Sequence, residues 1–276
     1  MAEFKLKRFF TFGGVSSADF SVYLSKEPVF PLGNRKVTSY EIPGRNGSLH
    51  IDEGCYEELP LELDLLLQGD AQTGNAITQW LNSGNGKPLP LKISSWPGIT
   101  FMAIPETTGG LTWQLNSFHR GKLTMRLQPQ KYHDTGLVPT RYAMPASGTK
   151  LQEFRIDNPG TETAAPVIRV DIAPGVTLAD FRVTVLRSTA SGAVTESGIK
   201  LVNVSGFIEI DMETGEARND TGDMTSHVEY LMGAGVLNPF DNLLLRPGES
   251  RVRLFRYDGS SFGVDAITIT GRWWDA

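Results

Sequence analysis

Apolar and polar residues alternate along much of the chain, and this pattern predicts a mainly β protein. In Leu61–Leu65, leucines alternate with Glu62 and Asp64, so one face of a strand would be buried and the other solvated. The same period of two marks Leu123–Leu127. It recurs in the second half, where β-branched and aromatic residues favour strands. Strands are predicted there at Val167–Ile172, Phe181–Leu186, Phe207–Asp211, Arg251–Phe255 and Ala266–Thr270.

One segment has the period of a helix instead. Between Asp70 and Gly84, the apolar residues Ala76, Ile77, Trp80 and Leu81 recur at helical spacing. Glycines then end the pattern, and a weaker helix is predicted at Ser226–Met232. The first domain is therefore expected to be β with one packed helix, and the second nearly all β.

Turn residues divide the chain into two parts. The stretch Pro129–Thr149 is rich in proline and glycine and has little periodicity, which is typical of a domain boundary. The predicted domains are residues 1–138 and 139–276. Within the second, Met212–Glu216 and Tyr257–Ser260 are predicted hairpin turns.

Composition narrows the possible functions. Hydrophobic residues make up 40% and charged residues 21% of 276 residues, with a net charge of −5, as in ordinary globular proteins. No cluster of Lys and Arg suggests a nucleic-acid surface, and no apolar run is long enough to span a membrane. Cys55 is the only cysteine and has acidic neighbours, so neither a disulfide nor a reactive thiol is expected. A soluble protein without a classical export signal is expected.

Motifs for catalysis are incomplete. Gly259–Gly263 matches a nucleophile elbow, but no histidine follows it, and predicted strands on both sides favour a hairpin turn. Gly69–Asn75 has the glycine spacing of a phosphate-binding loop without its lysine. The four histidines are dispersed. No enzyme activity and no cofactor are expected.

Pairs of acidic residues are an alternative source of chemistry. Glu62 and Asp64 share a strand face and could act as a glycosidase pair, although a solvated strand face is the commoner explanation. Asp211 and Glu213, with acids near Asn219, could hold calcium, but the spacing of an EF-hand loop is absent. No metal site is predicted.

Exposed tryptophans are candidates for protein contacts, since Trp is enriched at interface centres. Trp96 is followed by Pro97 and Gly98. Near the end of the chain, alternation would bury only one of Trp273 and Trp274. These three tryptophans are the predicted attachment or interface residues.

Several motifs, taken in order, resemble the distal tail (Dit) proteins of siphophages. The chain opens on an aromatic strand, a turn glycine and an acidic-Phe pair within Phe9–Val22. Ile42–Leu49 then reads IPGRNGSL, shortly before Gly54-Cys55-Tyr56. Further similarities lie at Asn158–Thr161, Phe207–Asp211, Leu245–Ser250, where Ser250 replaces a usual Asn, and Arg272–Trp274.

This resemblance implies a virion protein at the distal end of a non-contractile tail, made and assembled in the host cytoplasm. Six copies would form a ring through the N-terminal domain, which is sandwich-like with an extended hairpin arm. The C-terminal domain would be a galectin-like or jelly-roll β-sandwich used for attachment. The implied partners are the chain itself, the tail tube protein, the tail-tip protein and a receptor-binding or baseplate protein. DNA would only pass through the channel, and no membrane or catalytic residue is implied.

A ring would also protect exposed sheet edges, and cyclic closure prevents filament growth. We therefore expect Val37–Gly54 to form an arm that packs on a neighbouring subunit. Its turn supplies the candidate interface residues Pro43, Gly44, Arg45, Asn46 and Gly47, of which Arg45 would fix the register.

Two other functions remain open from sequence. A carbohydrate-binding module for host recognition would need an aromatic platform, for which Tyr257, Phe262 and Trp96 are the nearest candidates. A tail-associated hydrolase would need a nucleophile and base that no motif provides.

Overall fold

The structure, a computed structural model, describes residues 8–68, 71–106, 109–113, 118–144, 151–188, 194–231, 243–256 and 263–276. It forms two compact units. The first consists of the chain up to Tyr132 together with the last residue, Ala276, and the second spans His133–Asp275. The sequence places the boundary after residue 138, and that position stays a prediction. In the described residues, no helix is both long and apolar enough to cross a bilayer.

Strands make up most of the first unit, together with one α-helix. Its described elements are β1 (Phe10–Phe12), β2 (Val15–Ser16), β3 (Val22–Leu24), β4 (Arg35–Glu41), β5 (Ser48–Tyr56), β6 (Leu59–Gln68), α1 (Ala71–Leu81), β7 (Leu89–Ile93), β8 (Ile99–Pro105), β9 (Gly109–Trp113) and β10 (Phe118–His133), with a 3₁₀ turn at Ser17–Phe20.

An antiparallel sheet in the order β2-β1-β7-β8-β10-β6-β3 organises this unit. The backbone N–H of Leu24 in β3 donates to the carbonyl of Arg8 at 2.9 Å, just before β1. The two ends of the sheet therefore approach each other, and the sheet curls around its core.

The alternation of apolar and polar residues in β6 leads to the burial of one strand face, as the sequence predicts. The five odd-numbered leucines from Leu59 to Leu67 are buried, whereas Glu62 is exposed. β6 pairs with β10 in a register that sets Leu63 opposite the buried Leu123. The predicted strands Leu61–Leu65 and Leu123–Leu127 are confirmed.

Helix α1 packs on this core through Trp80. The Trp80 ring stacks on Phe20 at 4.9 Å and on Phe10 at 5.6 Å between ring centroids. Its indole Nε1 donates to the carbonyl of Phe12 at 3.0 Å, so the polar edge of the buried ring is satisfied. Ile77 and Leu81 are buried beside it, as the helical spacing predicts.

The second unit is built from strands and two described 3₁₀ turns, at Asp134–Leu137 and Thr225–His227. Its described strands are β11 (Thr140–Ala143), β12 (Leu151–Asn158), β13 (Val167–Ile172), β14 (Thr177–Leu178), β15 (Phe181–Ser188), β16 (Val194–Leu201), β17 (Val204–Ser205), β18 (Phe207–Asp211), β19 (Glu216–Asn219), β20 (Gly222–Asp223), β21 (Val228–Leu231), β22 (Gly248–Arg256), β23 (Val264–Thr270) and β24 (Trp274–Asp275).

Two antiparallel sheets of this unit enclose one core. Their orders are β11-β23-β13-β18-β19-β20 and β12-β22-β15-β16-β21. Inward residues of both sheets, such as Val170 and Val183, belong to a single buried cluster, which is the packing of a β-sandwich. The predicted fold class, mainly β with one helix in the first part and a β-sandwich in the second, is confirmed, as are the five strands predicted in this half.

The predicted helix at Ser226–Met232 is wrong. A 3₁₀ turn ends at His227, and Val228–Leu231 then pairs with β16 as an edge strand. Four ladder pairs with a neighbouring strand outweigh a weak local helix pattern. The predicted turn at Met212–Glu216 does join two strands, β18 and β19.

Candidate assembly surface

Exposed apolar side chains concentrate around the hairpin formed by β4 and β5, which we call the arm (residues 35–56). These two strands form a separate two-stranded sheet, and almost every residue in them is exposed. Most of the exposed large apolar side chains among the described residues lie in or just before the arm. They are Val29, Leu32, Val37, Tyr40, Ile42, Leu49 and Ile51, compared with only Val138 and Leu151 in the second unit.

The pairing register of β4 with β5 determines which side chains of the arm lie on the same face. Tyr40 lies opposite Leu49, and Thr38 lies opposite Ile51. Because directly opposed residues share a face, Tyr40, Leu49 and Ile51 form one apolar face. That face is exposed to solvent in the single chain, although such patches usually mark protein contacts.

The opposite face of the arm is mostly polar, although it also carries the exposed Val37. Ser39 lies across from His50, and the Ser39 hydroxyl oxygen is 2.8 Å from His50 Nδ1. The next carboxylate on this face, Asp52, accepts hydrogen bonds from the Arg35 guanidinium at 2.9 and 3.0 Å. The Ser–His pair is therefore a cross-strand hydrogen bond on an exposed hairpin, and within the described part of the chain no carboxylate is bonded to His50, as one would be to the base of a catalytic triad.

The base of the arm is fixed by the same carboxylate. Asp52 accepts a hydrogen bond from the backbone N–H of Gly54 at 2.8 Å. This bond, followed by those from Arg35, lowers the pKa of Asp52 below its usual value. The Arg35 guanidinium also lies 5.0 Å from the centroid of the Tyr56 ring, so the two strands are tied together where the arm leaves the unit.

The candidate interface residues Pro43, Gly44, Arg45, Asn46 and Gly47 form the exposed tip of the arm. Gly44 and Gly47 have φ of 81° and 79°, a conformation that side chains disfavour. The backbone N–H of Arg45 donates to the carbonyl of Ile42 at 3.1 Å. An open concavity of about 420 Å³ lies at the tip. It is large enough to receive side chains of another protein.

Trp96 lies at the edge of the first unit's core. Its ring is half-buried and meets Phe30 at 5.0 Å and Phe101 at 5.9 Å between centroids, both edge to face. It therefore has a packing role within its own unit, and an attachment role for Trp96 stays a prediction.

Trp273 and Trp274 differ in exposure. Trp273 is 9% exposed and belongs to the core of the second unit, so little of it is available to a partner. Trp274 is half-buried, and its Nε1 donates to the carbonyl of Thr163 at 3.0 Å. Of these two interface candidates, Trp274 presents more surface, and its role also stays a prediction.

The sequence missed the interaction that Arg272 makes. Arg272 donates to both carboxylate oxygens of Asp211 at 2.8 Å, and to Glu213 at 3.0 Å. Burial opposes the charge on Asp211, but the bonds from Arg272 and from the backbone N–H groups of Glu213 and Thr214 prevail and lower its pKa. The Arg272 guanidinium thus neutralises Asp211 and Glu213, two of the acids in the calcium hypothesis.

The remaining candidates from sequence are either engaged in ion pairs or lie at least partly outside the described residues. Glu62 pairs with Lys122, and Asp64 pairs with Lys26, as expected of a solvated strand face. No group of three or more potential metal ligands occurs among the described residues. The Gly259–Gly263 motif, the predicted turn at Tyr257–Ser260 and the aromatic candidates Tyr257 and Phe262 fall at least partly outside the residues that the structure describes.

Comparison with solved structures shows that this two-unit β architecture has the fold of a hub protein from a phage adsorption apparatus. The protein concerned is SPP1 Dit (gp 19.1), whose crystal structure is described as a paradigm of the hub adsorption apparatus in phages that infect Gram-positive hosts. The TM-score is 0.58 at 14% identity, over 95% of this chain and 97% of that one. The resemblance inferred from the motifs is confirmed at the level of the fold.

A chain of the phage P2 baseplate, in its activated conformation with Ca, is more distant. It has a TM-score of 0.44 at 10% identity, over 91% of this chain and 98% of that one. No family model matches the sequence, and no curated protein matches it.

Proposed function

We propose that this chain is the structural hub of a non-contractile phage tail tip. Six copies form a ring at the distal end of the tail, and the ring joins the tail tube protein to the tail-tip protein. The second unit anchors a baseplate or receptor-binding protein. The fold shared with SPP1 Dit over nearly the whole chain supports this role.

The observation that carries the proposal is the exposed apolar face of the arm. A two-stranded hairpin alone is marginally stable in water, and Tyr40, Leu49 and Ile51 lie on one face with large exposed areas. Packing that face against a second copy removes the apolar area from water and gives the single-layered hairpin the second layer it lacks. The arm thus accounts for self-association through residues that are not part of the core.

In the proposed assembly, each arm reaches a neighbouring subunit, and these contacts close into a ring. The arm of one subunit contacts a different surface on its neighbour, which is a head-to-tail contact, and only a closed ring satisfies every copy. The concave tip around Arg45 would fix the register between subunits, since a polar contact at the rim specifies orientation more than affinity. In this role the protein acts through contact geometry and needs no catalytic residue.

Substitution on the apolar face tests this proposal. The double variant Tyr40→Ser, Ile51→Ser replaces exposed residues, so it should fold like the parent chain but lose the ring. The measurement is size-exclusion chromatography with light scattering on the full chain, beside circular dichroism for folding.

The matched control is Val138→Ser, Leu151→Ser, which removes two exposed apolar side chains from the second unit. This control should retain the mass of the parent assembly. If the arm variant forms the same assembly as the control, the arm does not hold the ring together.

A further inference from the structure

An open cleft of about 380 Å³ lies on the outer face of the five-stranded sheet in the second unit. The strand register sets Thr184 opposite both Gly198 and Arg253, so these residues share one face. The alternate residues Val183 and Val185 point into the core. The cleft is therefore on the solvent side of the sheet, away from the sandwich core.

The floor of the cleft is a close approach between β15 and β16. A Cβ on Gly198 would lie 2.2 Å from the carbonyl oxygen of Val183, so only glycine fits there. Thr184, beside it, is 2% exposed, and its hydroxyl donates to the Glu196 carboxylate at 2.7 Å. A buried polar side chain thus fixes the orientation of the carboxylate on the wall.

The wall opposite is aromatic and cationic. Phe255 is half-buried, and the Arg182 guanidinium lies 5.5 Å from the centroid of its ring. Leu231 adds an apolar side chain to the lining. Within a volume typical of small-molecule sites, about 300–1,000 Å³, the cleft therefore combines a carboxylate acceptor, guanidinium donors and an apolar surface.

The charges around the cleft balance one another. Arg182 pairs with Asp180 at 3.0 Å. Arg253 pairs with Glu153 at 2.7 Å and lies 3.6 Å from Glu196. An anionic or cationic ligand would have to compete with these pairs, whereas a neutral ligand would not. Hydroxyl groups both donate and accept, so they complement carboxylate and guanidinium groups together.

We propose that this cleft binds a neutral saccharide, with Glu196 and Arg182 hydrogen-bonding to its hydroxyls and Phe255 packing against its C–H face. This site differs from the aromatic candidates considered from sequence, and it goes beyond the structural hub role. It would give the second unit a direct contact with a glycan surface in addition to a protein partner.

A glycan array carrying neutral, sialylated, sulfated and phosphorylated oligosaccharides, probed with the labelled full chain, tests this proposal. We expect neutral glycans to bind. Glu196→Gln and Phe255→Leu should each weaken that binding by about tenfold, because the first loses a hydrogen bond to a charged group and the second loses the flat aromatic surface. Titration with the best neutral glycan measures the change, and circular dichroism checks the fold of each variant.

Glu249→Gln is the matched control, because Glu249 lies on the same sheet and also pairs with an arginine, Arg155, but does not line the cleft. It should bind like the parent chain. Three results would overturn the proposal: no neutral glycan bound, a preference for charged glycans, or binding that both cleft variants retain in full. Ring assembly is measured separately, so neither outcome decides the hub role.

Discussion

The second strand of the arm, β5, is followed in the chain by β6, and in both strands apolar residues alternate with polar ones, yet their apolar faces lie in opposite environments. In β6, the leucines face the curled sheet and helix α1, and Leu63 is fully buried. In the arm, Leu49 occupies an equivalent alternating position but is 36% exposed. The alternation of a strand therefore predicts that one of its faces will be buried. It does not predict whether that face is buried by the same chain or by another subunit.

Apolar surface has two different uses in this chain. The β6 face stabilises the monomer, whereas the arm face has no described partner within its own unit. If the account is correct, substitutions in β6 lower the free energy of unfolding, and substitutions in the arm change assembly.

The largest effect is expected for Leu63→Ala. Removing a buried leucine loses its transfer free energy and leaves a cavity, which costs about 2–5 kcal/mol. Urea unfolding of the first unit, followed by tryptophan fluorescence, measures this loss. A loss below ~1 kcal/mol would mean that the face of β6 is not closely packed.

A smaller effect is expected for Asp211→Asn in the second unit, about 1 kcal/mol after allowance for its partial exposure. The effect should depend on pH. Because the pKa of Asp211 is lowered in the folded chain, its contribution is complete above the unfolded value, about 3.9. It is lost as the pH falls through the folded value.

Unfolding measured between pH 6 and about pH 2 tests this dependence. The parent chain should lose more stability on acidification than Asp211→Asn does. Equal losses in the two proteins would show that the Arg272 pair does not contribute to the pH dependence.

Leu49→Ala, the matched control for Leu63→Ala, should change the unfolding free energy by no more than about 0.5 kcal/mol, as is usual at an exposed position. It should still weaken self-association, because it removes part of the apolar face. The same urea experiment and a dilution series by light scattering measure both quantities. A large loss of stability would show that the arm face is already covered within the chain.

Arg45→Glu is expected to leave the unfolding free energy unchanged, since the side chain is exposed at the tip of the arm. In the proposed ring, Arg45 meets a complementary group of the neighbouring subunit. Glu at this position would repel that group, so assembly should be lost. If light scattering shows an intact ring, Arg45 does not set the register.

Much of the fold was predictable because it depends on local pattern. Strands such as β13 and β18 begin and end where the alternation does, and Trp80 lies on the buried face that helical spacing predicts. The edge strand β21 was not predictable, because its conformation comes from pairing with β16.

Contacts between residues that are far apart in the chain also could not be predicted from the sequence. Arg272 and Asp211 are 61 positions apart and meet only when the last strands close the sandwich. The cleft near Thr184 needs three strands in register and a close approach at Gly198. The arm, in contrast, was predictable from its exposed turn and from the resemblance to a known family.

Native mass spectrometry of the purified full chain tests the central claim most directly, both alone and with the tail tube protein of the same phage. The account predicts a closed assembly of six copies that is lost in the Tyr40→Ser, Ile51→Ser variant. A chain that remains monomeric at every concentration, with and without the tube protein, would contradict it.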